Sequence, residues 1–196
     1  MMRTNARRSD ESRRALIAAA RDLFGTLGYG ATSTPAIARA AGVSRGALYH
    51  HFADKAALFT AVVEAEYRRV EGEIEQDPET ISDTLEMLVE GGERFIAAMN
   101  DPASRQILLV DGPAVLGAGQ LLAFDRQTTS HSLLAGIMSA QEAGRLPGDI
   151  PADALASMMS GAYDRAVLDG FGESDEGRLA ILHAIRSLWF GLSRLA

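Results

Sequence analysis

The sequence contains no cysteine, a single lysine and no apolar run long enough to cross a bilayer. Without cysteine the chain can form neither a disulfide framework nor a thiolate site, which agrees with a reducing compartment. A transmembrane helix would need about 20 consecutive, mostly apolar residues. Residues 1 to 14 are polar and basic and lack the apolar core of a signal peptide. The sequence therefore predicts a cytoplasmic protein with no membrane partner.

The sequence also lacks the short motifs that accompany common catalytic sites. It has no Gly-x-Ser-x-Gly, no His-Glu-x-x-His, no phosphate-binding glycine loop and no glycine fingerprint after a strand. His50 and His51 are adjacent, and paired histidines are found in metal sites. Neighbours on a helix point about 100° apart, however, and no third ligand lies nearby in the sequence. We therefore predict no enzyme, no catalytic residue, no metal and no cofactor.

Charge is distributed unevenly along the chain, whose formal net charge is −7. Residues 1 to 57 carry nine basic and four acidic side chains, a balance of +5, whereas residues 58 to 196 carry ten basic and 22 acidic ones, a balance of −12. A basic head on an acidic body is expected when one end meets phosphate and the rest stays soluble. A solvated charge pattern without a partner is the alternative.

The apolar residues of the head recur at helical spacing, and no strand-like alternation stands out along the chain. Residues 1 to 8 have no apolar periodicity and are interpreted as a flexible basic arm. Ser9 or Asp10 can cap a first helix, predicted from about Asp10 to Leu27. The glycine-rich run 25 to 30 then ends it, because glycine readily adopts the left-handed conformation that closes a helix.

Two short helices follow the first one. Thr32-Ser33-Thr34-Pro35 offers three capping hydroxyls and a proline that a first turn tolerates. Gly42 ends this second helix after barely two turns, and Ser44 caps a third. Leu48 and Phe52, four residues apart, give the third helix one inward face. The pair has the proportions of a helix-turn-helix, a pattern that other helical proteins also contain.

The outer face of the third helix is polar and close to basic residues. Hydroxyl, guanidinium, phenol, imidazole and ammonium groups come from Ser44, Arg45, Tyr49, His50 and Lys55. Such groups reach phosphate oxygens and base edges of DNA. The alternative is an ordinary solvated face with Tyr49 half buried.

Helical patterns continue through the acidic body, so the whole fold is predicted to be all-α, with about nine helices. The predicted helices cover about residues 56 to 73, 80 to 99, 107 to 110, 115 to 143, 152 to 169 and 174 to 195. Breaks are predicted at 76 to 79, at 100 to 102, at 111 to 113, where the short apolar helix should end, and at 144 to 151 and 170 to 172.

A series of residues between Ala18 and Phe59 carries a family resemblance. The matching residues are Ala20, Leu23, Phe24, Gly28, Tyr29, Thr32, Ile37, Ala38, Ala41, Gly42, Val43, Ser44, Gly46, Leu48, Tyr49, His51, Phe52, Lys55, Leu58 and Phe59. With them, about a quarter of the chain resembles the DNA-binding domain of the tetracycline-repressor (TetR) family of bacterial regulators. The resemblance implies a three-helix helix-turn-helix DNA-binding domain over residues 1 to 57 and a larger helical effector-binding and dimerisation domain over residues 58 to 196.

The resemblance also implies roles for individual residues at double-stranded operator DNA. Thr34 and Ser44 would contact phosphates from helix starts, and Tyr49 would press on the sugar-phosphate backbone. His51 and Lys55 would each bind a phosphate. Arg45 is the best candidate for bidentate reading of a guanine, and His50 and Ala47 would tune sequence preference.

A two-fold homodimer is implied as well, with paired recognition helices entering successive major grooves of a palindromic operator about 34 to 36 Å apart. The last two helices would pair with their symmetry mates, because their apolar faces are wider than one small body needs. Packing within one chain is the alternative for these faces.

The middle helices would form a chamber for a small-molecule effector of unknown identity. Its candidate lining residues are Phe95, Met99, Leu108, Leu122, His131, Met138 and Tyr163. The predicted function is a ligand-responsive repressor released from DNA by its effector. The alternative is a constitutive DNA-binding or scaffold protein without small-molecule control, which would have a filled body with no cavity.

Overall fold

The computed structural model describes residues 2 to 75 and 83 to 196, and within these ranges every regular element is a helix. The prediction of an all-α fold is confirmed. The helices are α1 (Met2–Ala31), α2 (Thr34–Ala40), α3 (Arg45–His51), α4 (Lys55–Ile74), α5 (Thr84–Met99), α6 (Pro102–Arg105), a π-helix (Gln106–Asp111), α7 (Gly112–Leu116), α8 (Ala118–Asp125), α9 (Thr129–Glu142), α10 (Ala152–Leu168), α11 (Asp175–Leu192) and a 3₁₀ turn (Ser193–Leu195). None of the helices in these ranges is both long and apolar enough to traverse a bilayer.

Helix α1 begins well before its predicted start. Its backbone is helical from Met2, so the prediction of a flexible arm over residues 1 to 8 is wrong for residues 2 to 8. Arginine, alanine and methionine favour helix, and Arg7 donates to Glu11 at 3.0 Å, a helical i, i+4 pair. The predicted interruption is present at Gly28, whose φ of +78° lies in the left-handed region.

Residues 76 to 82 fall outside the described residues, and with them the predicted break at 76 to 79 and the predicted helix start at Thr80. Helix α5 is capped by Asp83, whose carboxylate accepts from the amides of Leu85 at 2.8 Å and Glu86 at 3.3 Å. These bonds satisfy amides that have no partner inside the helix, which explains a start at Thr84.

The middle of the chain is divided differently from the prediction. The π-helix leads directly into α7, so the predicted end at residues 111 to 113 is wrong: Pro113 lies in a first turn, where its missing amide hydrogen costs nothing. The predicted long helix over 115 to 143 is also wrong. Gly117, with φ of +79°, ends α7, and residues 126 to 128 separate α8 from α9. The last two helices agree with their predictions within about a turn.

The described chain forms two compact units. Unit 1 comprises Met1–Glu66 with Pro102–Leu121, and unit 2 comprises Tyr67–Asp101 with Leu122–Ala196. Unit 1 therefore includes residues beyond 57, so its limits differ from those of the predicted DNA-binding domain. That domain and the effector-binding and dimerisation domain over 58 to 196 remain functional predictions.

Each unit has its own apolar core. In unit 1 the rings of Phe24, Tyr29 and Phe59 contact one another, with centroids 4.9 to 5.6 Å apart. In unit 2, helix α5 packs on α9, α10 and α11. The buried core side chains of unit 2 include Leu85, Leu88, Ile96, Ile137, Met159, Ile185 and Trp189.

Candidate nucleic-acid interface and ligand cavity

Helices α2 and α3 are fixed relative to each other by two serine caps and a tight turn. Ser33 Oγ accepts from the amide of Ala36 at 3.4 Å, and Ser44 Oγ accepts from the amide of Ala47 at 3.1 Å. Gly42 in the turn has φ of +67°, a conformation that strains any residue with a side chain. The predicted helix-turn-helix is present, with Ser44 as the cap of its second helix.

The inner faces of these two helices are anchored in unit 1. Ile37, Ala38 and Leu48 are at most 2% exposed, and Phe52 is 5% exposed. Because the apolar face of α3 is buried, its opposite, polar face is directed to solvent. Arg45, Tyr49 and His50 are accordingly exposed.

The exposed face brings predicted DNA-binding residues together. Tyr49, at 46% exposed, has its hydroxyl 3.1 Å from Thr34 Oγ1 at the start of α2. Its hydrogen bonds with Thr34 and Arg45 hold the pKa of Tyr49 below its ordinary value. Thr34, Ser44, Arg45 and Tyr49 thus form one surface of hydroxyls and a guanidinium across α2 and α3.

The two histidines occupy the last turn of α3. His50 is exposed, whereas His51 is half-buried, and their ring centroids lie 5.4 Å apart. The His51 ring also lies near that of Phe52, with centroids 6.4 Å apart. His50 is therefore the more accessible of the two side chains on this surface.

Lys55 has an internal role that the sequence did not indicate. Its ammonium donates to the carbonyls of Tyr29 at 2.6 Å and Thr32 at 2.8 Å, and it lies 4.0 Å from the centroid of the Tyr29 ring. A lysine ammonium has three donors. One donor remains for the phosphate contact that the resemblance implies, and that contact remains a prediction.

Sequence patterns also did not predict a buried polar contact in unit 1. Arg21 donates to both carboxylate oxygens of Glu66, at 2.7 and 3.1 Å, and Ser104 Oγ donates to Glu66 at 2.6 Å. Glu66 is 2% exposed. Glu66 lies at helical spacing between Val63 and Val70, on the apolar face of α4. This position could have indicated the contact from the sequence, because a buried acid needs buried hydrogen-bond partners.

Unit 2 contains a cavity of about 630 Å³ that is open to solvent, within the size range of small-molecule sites. The lining residues come from the end of α4 and from α5, α9 and α10. They are Ile74, Glu75, Met87, Leu88, Glu90, Gly91, Gly92, Arg94, Phe95, Thr129, Ser130, His131, Ser132, Leu133, Ala135, Gly136, Ser139, Ser160 and Tyr163.

Three predicted effector residues line this cavity, namely Phe95, His131 and Tyr163. The structure does not bring the other four there. Met99 is 1% exposed in the core, and Leu108 is buried in unit 1. Leu122 and Met138 are half-exposed, at 51% and 48%, on faces of α8 and α9 that the cavity does not use.

Two features of the cavity lining could not be predicted from sequence patterns. Gly92 lies on α5 where a side chain would collide with Tyr163, and its helical spacing alone does not reveal this. Arg94 forms an ion pair with Glu90 and donates to the carbonyl of Ile74 at 3.2 Å. Arg94 and Glu90 are one turn apart and could have been recognised as a pair, but not as part of a cavity wall.

An acidic pair lies in the same unit as the cavity. Asp125 accepts from the hydroxyls of Thr129, at 2.5 Å, and Ser130. Burial, together with the negative charge of Asp125, raises the pKa of Asp164 to about 7. Asp164 therefore holds a proton in the folded protein at pH values where an unfolded aspartate has lost it.

This raised pKa predicts a pH-dependent stability. A carboxyl with a folded pKa above its unfolded value of 3.8 stabilises the fold less as pH rises, so the free energy of unfolding should fall from about pH 4 to about pH 7 and then level off. Between pH 5 and pH 8 we expect Asp164→Asn to remove roughly 2–3 kcal/mol of this fall. Denaturant titrations of the unaltered protein and of Asp164→Asn at pH 5 and pH 8 measure the fall in the free energy of unfolding. An equal fall in the two proteins would contradict the assignment to Asp164.

Comparisons with known proteins agree with this arrangement. The model of the bacterial regulatory proteins of the tetR family matches residues 16–62, and the tetracyclin repressor-like C-terminal domain matches residues 85–192. The chain is 30% identical to the HTH-type transcriptional regulator AcrR of Shigella flexneri, over 82% of this chain and 79% of that protein. It is 36% identical to the A-factor receptor protein of Streptomyces griseus over 47% of this chain, which spans only 31% of that protein's length.

A solved structure supports the same assignment. A TetR-family transcriptional regulator from Pectobacterium atrosepticum superimposes with a TM-score of 0.74 at 30% identity, covering 94% of this chain and 95% of that one. The C-terminal family model alone covers more than half of the chain. The resemblance inferred from residues 18 to 59 is thereby confirmed. The chain belongs to the TetR family of bacterial regulatory proteins and is a helix-turn-helix transcriptional regulator.

Proposed function

We propose that this regulator is a repressor that binds a palindromic operator as a dimer and is released by a small-molecule effector, acting in the cytoplasm. The observation that carries the DNA-binding part is the surface formed by the exposed Arg45 and Tyr49 on α3 and the half-buried Thr34 on α2. Hydroxyls and a guanidinium held on an anchored helix are suited to phosphate contact and base reading.

Within this surface we assign different duties to different residues. Tyr49 and Thr34 share a hydrogen bond and would position α3 on the sugar-phosphate backbone together with Ser44. Such contacts fix register but carry no sequence information. Arg45 would read a guanine from the major groove, with His50 as a lesser contributor, while His51 and the remaining donor of Lys55 would contact phosphates.

Operator selection tests the assignment of the reader. We expect Arg45→Ala to relax the preference at one base pair per half-site and to weaken operator binding by about tenfold or more, since a bidentate arginine contact contributes roughly 1–3 kcal/mol of discrimination. Tyr49→Phe, which removes only the hydroxyl, should weaken all sequences alike by a few-fold. Selection from a random duplex pool followed by binding titrations measures both effects.

Arg126→Ala is the matched control, because Arg126 is an exposed arginine in unit 2. It should leave the selected operator and its affinity unchanged. An unchanged operator for Arg45→Ala would overturn the assignment of the reader. A salt-independent affinity of the unaltered protein would overturn DNA binding itself, because neutralised phosphates release counterions and make the affinity fall steeply with salt.

Dimerisation through α10 and α11 is supported by their exposed surfaces. Part of the apolar face predicted for pairing, including Leu155, Met159, Ile185 and Trp189, is buried within the chain. The exposed residues of the two helices include small ones and large apolar ones. The small ones are Ala154, Gly161, Ala180, Ala184 and Gly191, and the large ones include Met158, Leu168, Leu179 and Leu188.

Such a surface suits a symmetric helix bundle. Ala180, Ala184 and Gly191 recur at spacings of four and seven residues, so they lie on one face of α11. Small side chains let helix backbones approach closely, and the flanking apolar side chains would be removed from water on pairing. Isologous pairing of this kind is the usual arrangement for a two-fold dimer.

The cavity favours ligand control over the alternative of a constitutive DNA-binding or scaffold protein, which would have no such space. An effector bound there would act only through its differential affinity for two states of the dimer. We propose that the effector-bound state spaces the paired α3 helices so that they no longer fit successive major grooves. Helix α4, which runs through the division between the two units, is the proposed connection.

A further inference from the structure

Tyr163 is a buried residue of the cavity lining, and its hydroxyl has an unused proton. Tyr163 is 5% exposed and lines the cavity, and the indole of Trp189 donates to its oxygen at 3.1 Å. Because the oxygen accepts from Trp189, the phenolic proton points elsewhere. In the described ranges no acceptor lies within hydrogen-bond distance of it. Burial raises the pKa of Tyr163 to about 12, so the phenol stays neutral and remains a donor.

The position of this hydroxyl is fixed by its surroundings. A Cβ placed on Gly92 would lie 2.8 Å from the Tyr163 oxygen, so the phenol rests against a part of α5 that has no side chain. The rings of Phe95 and Tyr163 have centroids 6.0 Å apart. With Trp189 as donor, these contacts hold the phenol at the wall of the cavity, so a ligand meets a donor that is already positioned.

The charged side chains of the lining are already engaged. Arg94 pairs with Glu90, and Ser132 Oγ donates to Glu75 at 3.0 Å. The lining thus contains two carboxylates and one guanidinium, and this excess of negative charge disfavours an anionic ligand. The rest of the lining is mostly apolar, apart from hydroxyls and the exposed imidazole of His131.

We propose that the cavity binds uncharged, largely apolar molecules that carry a hydrogen-bond acceptor, a carbonyl or ether oxygen, and that this oxygen accepts from Tyr163. The proposal rests on the assignment of the cavity as the effector site. It names the chemical class of the effector and the residue that selects it. A molecule of the same shape without the oxygen leaves the phenolic proton without a partner, a loss that discriminates between ligands.

Four adamantyl probes of similar size test this class by isothermal titration calorimetry. They are 1-acetyladamantane, 1-isopropenyladamantane, adamantane-1-carboxylate and 1-adamantylmethylammonium. We expect the ketone to bind at least tenfold more tightly than the carboxylate and the ammonium. Trp189 is the one tryptophan of the sequence and hydrogen-bonds Tyr163, so a change in its emission on binding reports occupancy near Tyr163.

The Tyr163→Phe variant isolates the hydrogen bond. The ratio of ketone to isopropenyl affinity should fall by roughly threefold to tenfold in this variant, while the isopropenyl compound should bind about as tightly as before. Using the ratio removes the intrinsic difference in hydration between the two probes. Retained binding of the isopropenyl compound also demonstrates that the variant is folded.

Tyr67→Phe is the matched control, since Tyr67 belongs to unit 2 but not to the cavity lining, and it should leave the ratio unchanged. The proposal is overturned if no probe binds, if a charged probe binds more tightly than the ketone, or if the ratio in Tyr163→Phe stays within twofold of its original value. Operator release is scored separately. Selective ketone binding without release would leave the ligand class standing and contradict effector control.

Discussion

Replacing Glu66 with alanine is expected to lower the free energy of unfolding by about 3–5 kcal/mol, the usual cost of breaking a buried ion pair by removing one partner. The carboxylate is 2% exposed and accepts from Arg21 on α1 and from Ser104 on α6. Without the Glu66 carboxylate, the partly buried guanidinium of Arg21 loses its acceptor, and so does the hydroxyl of Ser104, a residue that is 0% exposed. Chemical denaturation followed by circular dichroism measures the loss.

Glu11→Ala is the matched control for this experiment. Glu11 also pairs with an arginine, Arg7, but the two side chains are 53% and 80% exposed. Exposed pairs one helical turn apart contribute only about 0.3–0.5 kcal/mol, because solvent screens them. A similar loss for both variants would mean that burial of Glu66 does not decide its contribution to stability.

Ala184→Glu is expected to convert the proposed dimer to a monomer and to remove most operator affinity. Ala184 is exposed within one chain and lies between Ala180 and Gly191 on the small-residue face of α11. At a two-fold interface a glutamate there would be buried without a partner in each subunit, so the dimer dissociation constant should rise at least about 100-fold. Sedimentation velocity over a concentration series measures the change.

The control for this variant is Ala97→Glu, which adds the same charge at an exposed alanine near the end of α5. It should leave both the dimer and the operator affinity intact. A monomer that binds one half-site loses the contribution of the second, so operator affinity should fall together with dimerisation. A stable Ala184→Glu dimer would place the interface elsewhere.

Local sequence patterns predicted the DNA-binding head well. Ser44 as a cap, Gly42 in the turn, and Leu48 and Phe52 as inward anchors all follow from interactions within a few residues, and each has its predicted place. The errors at α1 and in the middle of the chain also came from considering local patterns alone. Polar helix formers before Ser9 look like an arm when only apolar periodicity is considered, and a single glycine at 117 is a weak sign of a break.

The effector residues illustrate the opposite case. Phe95, His131 and Tyr163 line the cavity, but Met99 and Leu108 looked equally suitable and are buried elsewhere. Apolar side chains at helical spacing indicate burial without indicating what covers them. Whether a buried residue faces a neighbouring helix or an empty space depends on how several helices pack, and no short stretch of sequence encodes that.

Local hydrogen bonding, periodicity and spacing were enough to predict the helical class and the helix-turn-helix, and the charge distribution was enough to predict the basic head. The family was indicated by the resemblance of residues 18 to 59. Only the tertiary structure brought Glu66 to Arg21 and Ser104, Lys55 to the carbonyls of Tyr29 and Thr32, and the hydroxyl of Tyr163 to Trp189. These partners are separated by between 23 and 45 residues along the chain. Their contacts exist because packed helices bring distant side chains within hydrogen-bond distance, a relation that folding creates and local sequence does not contain.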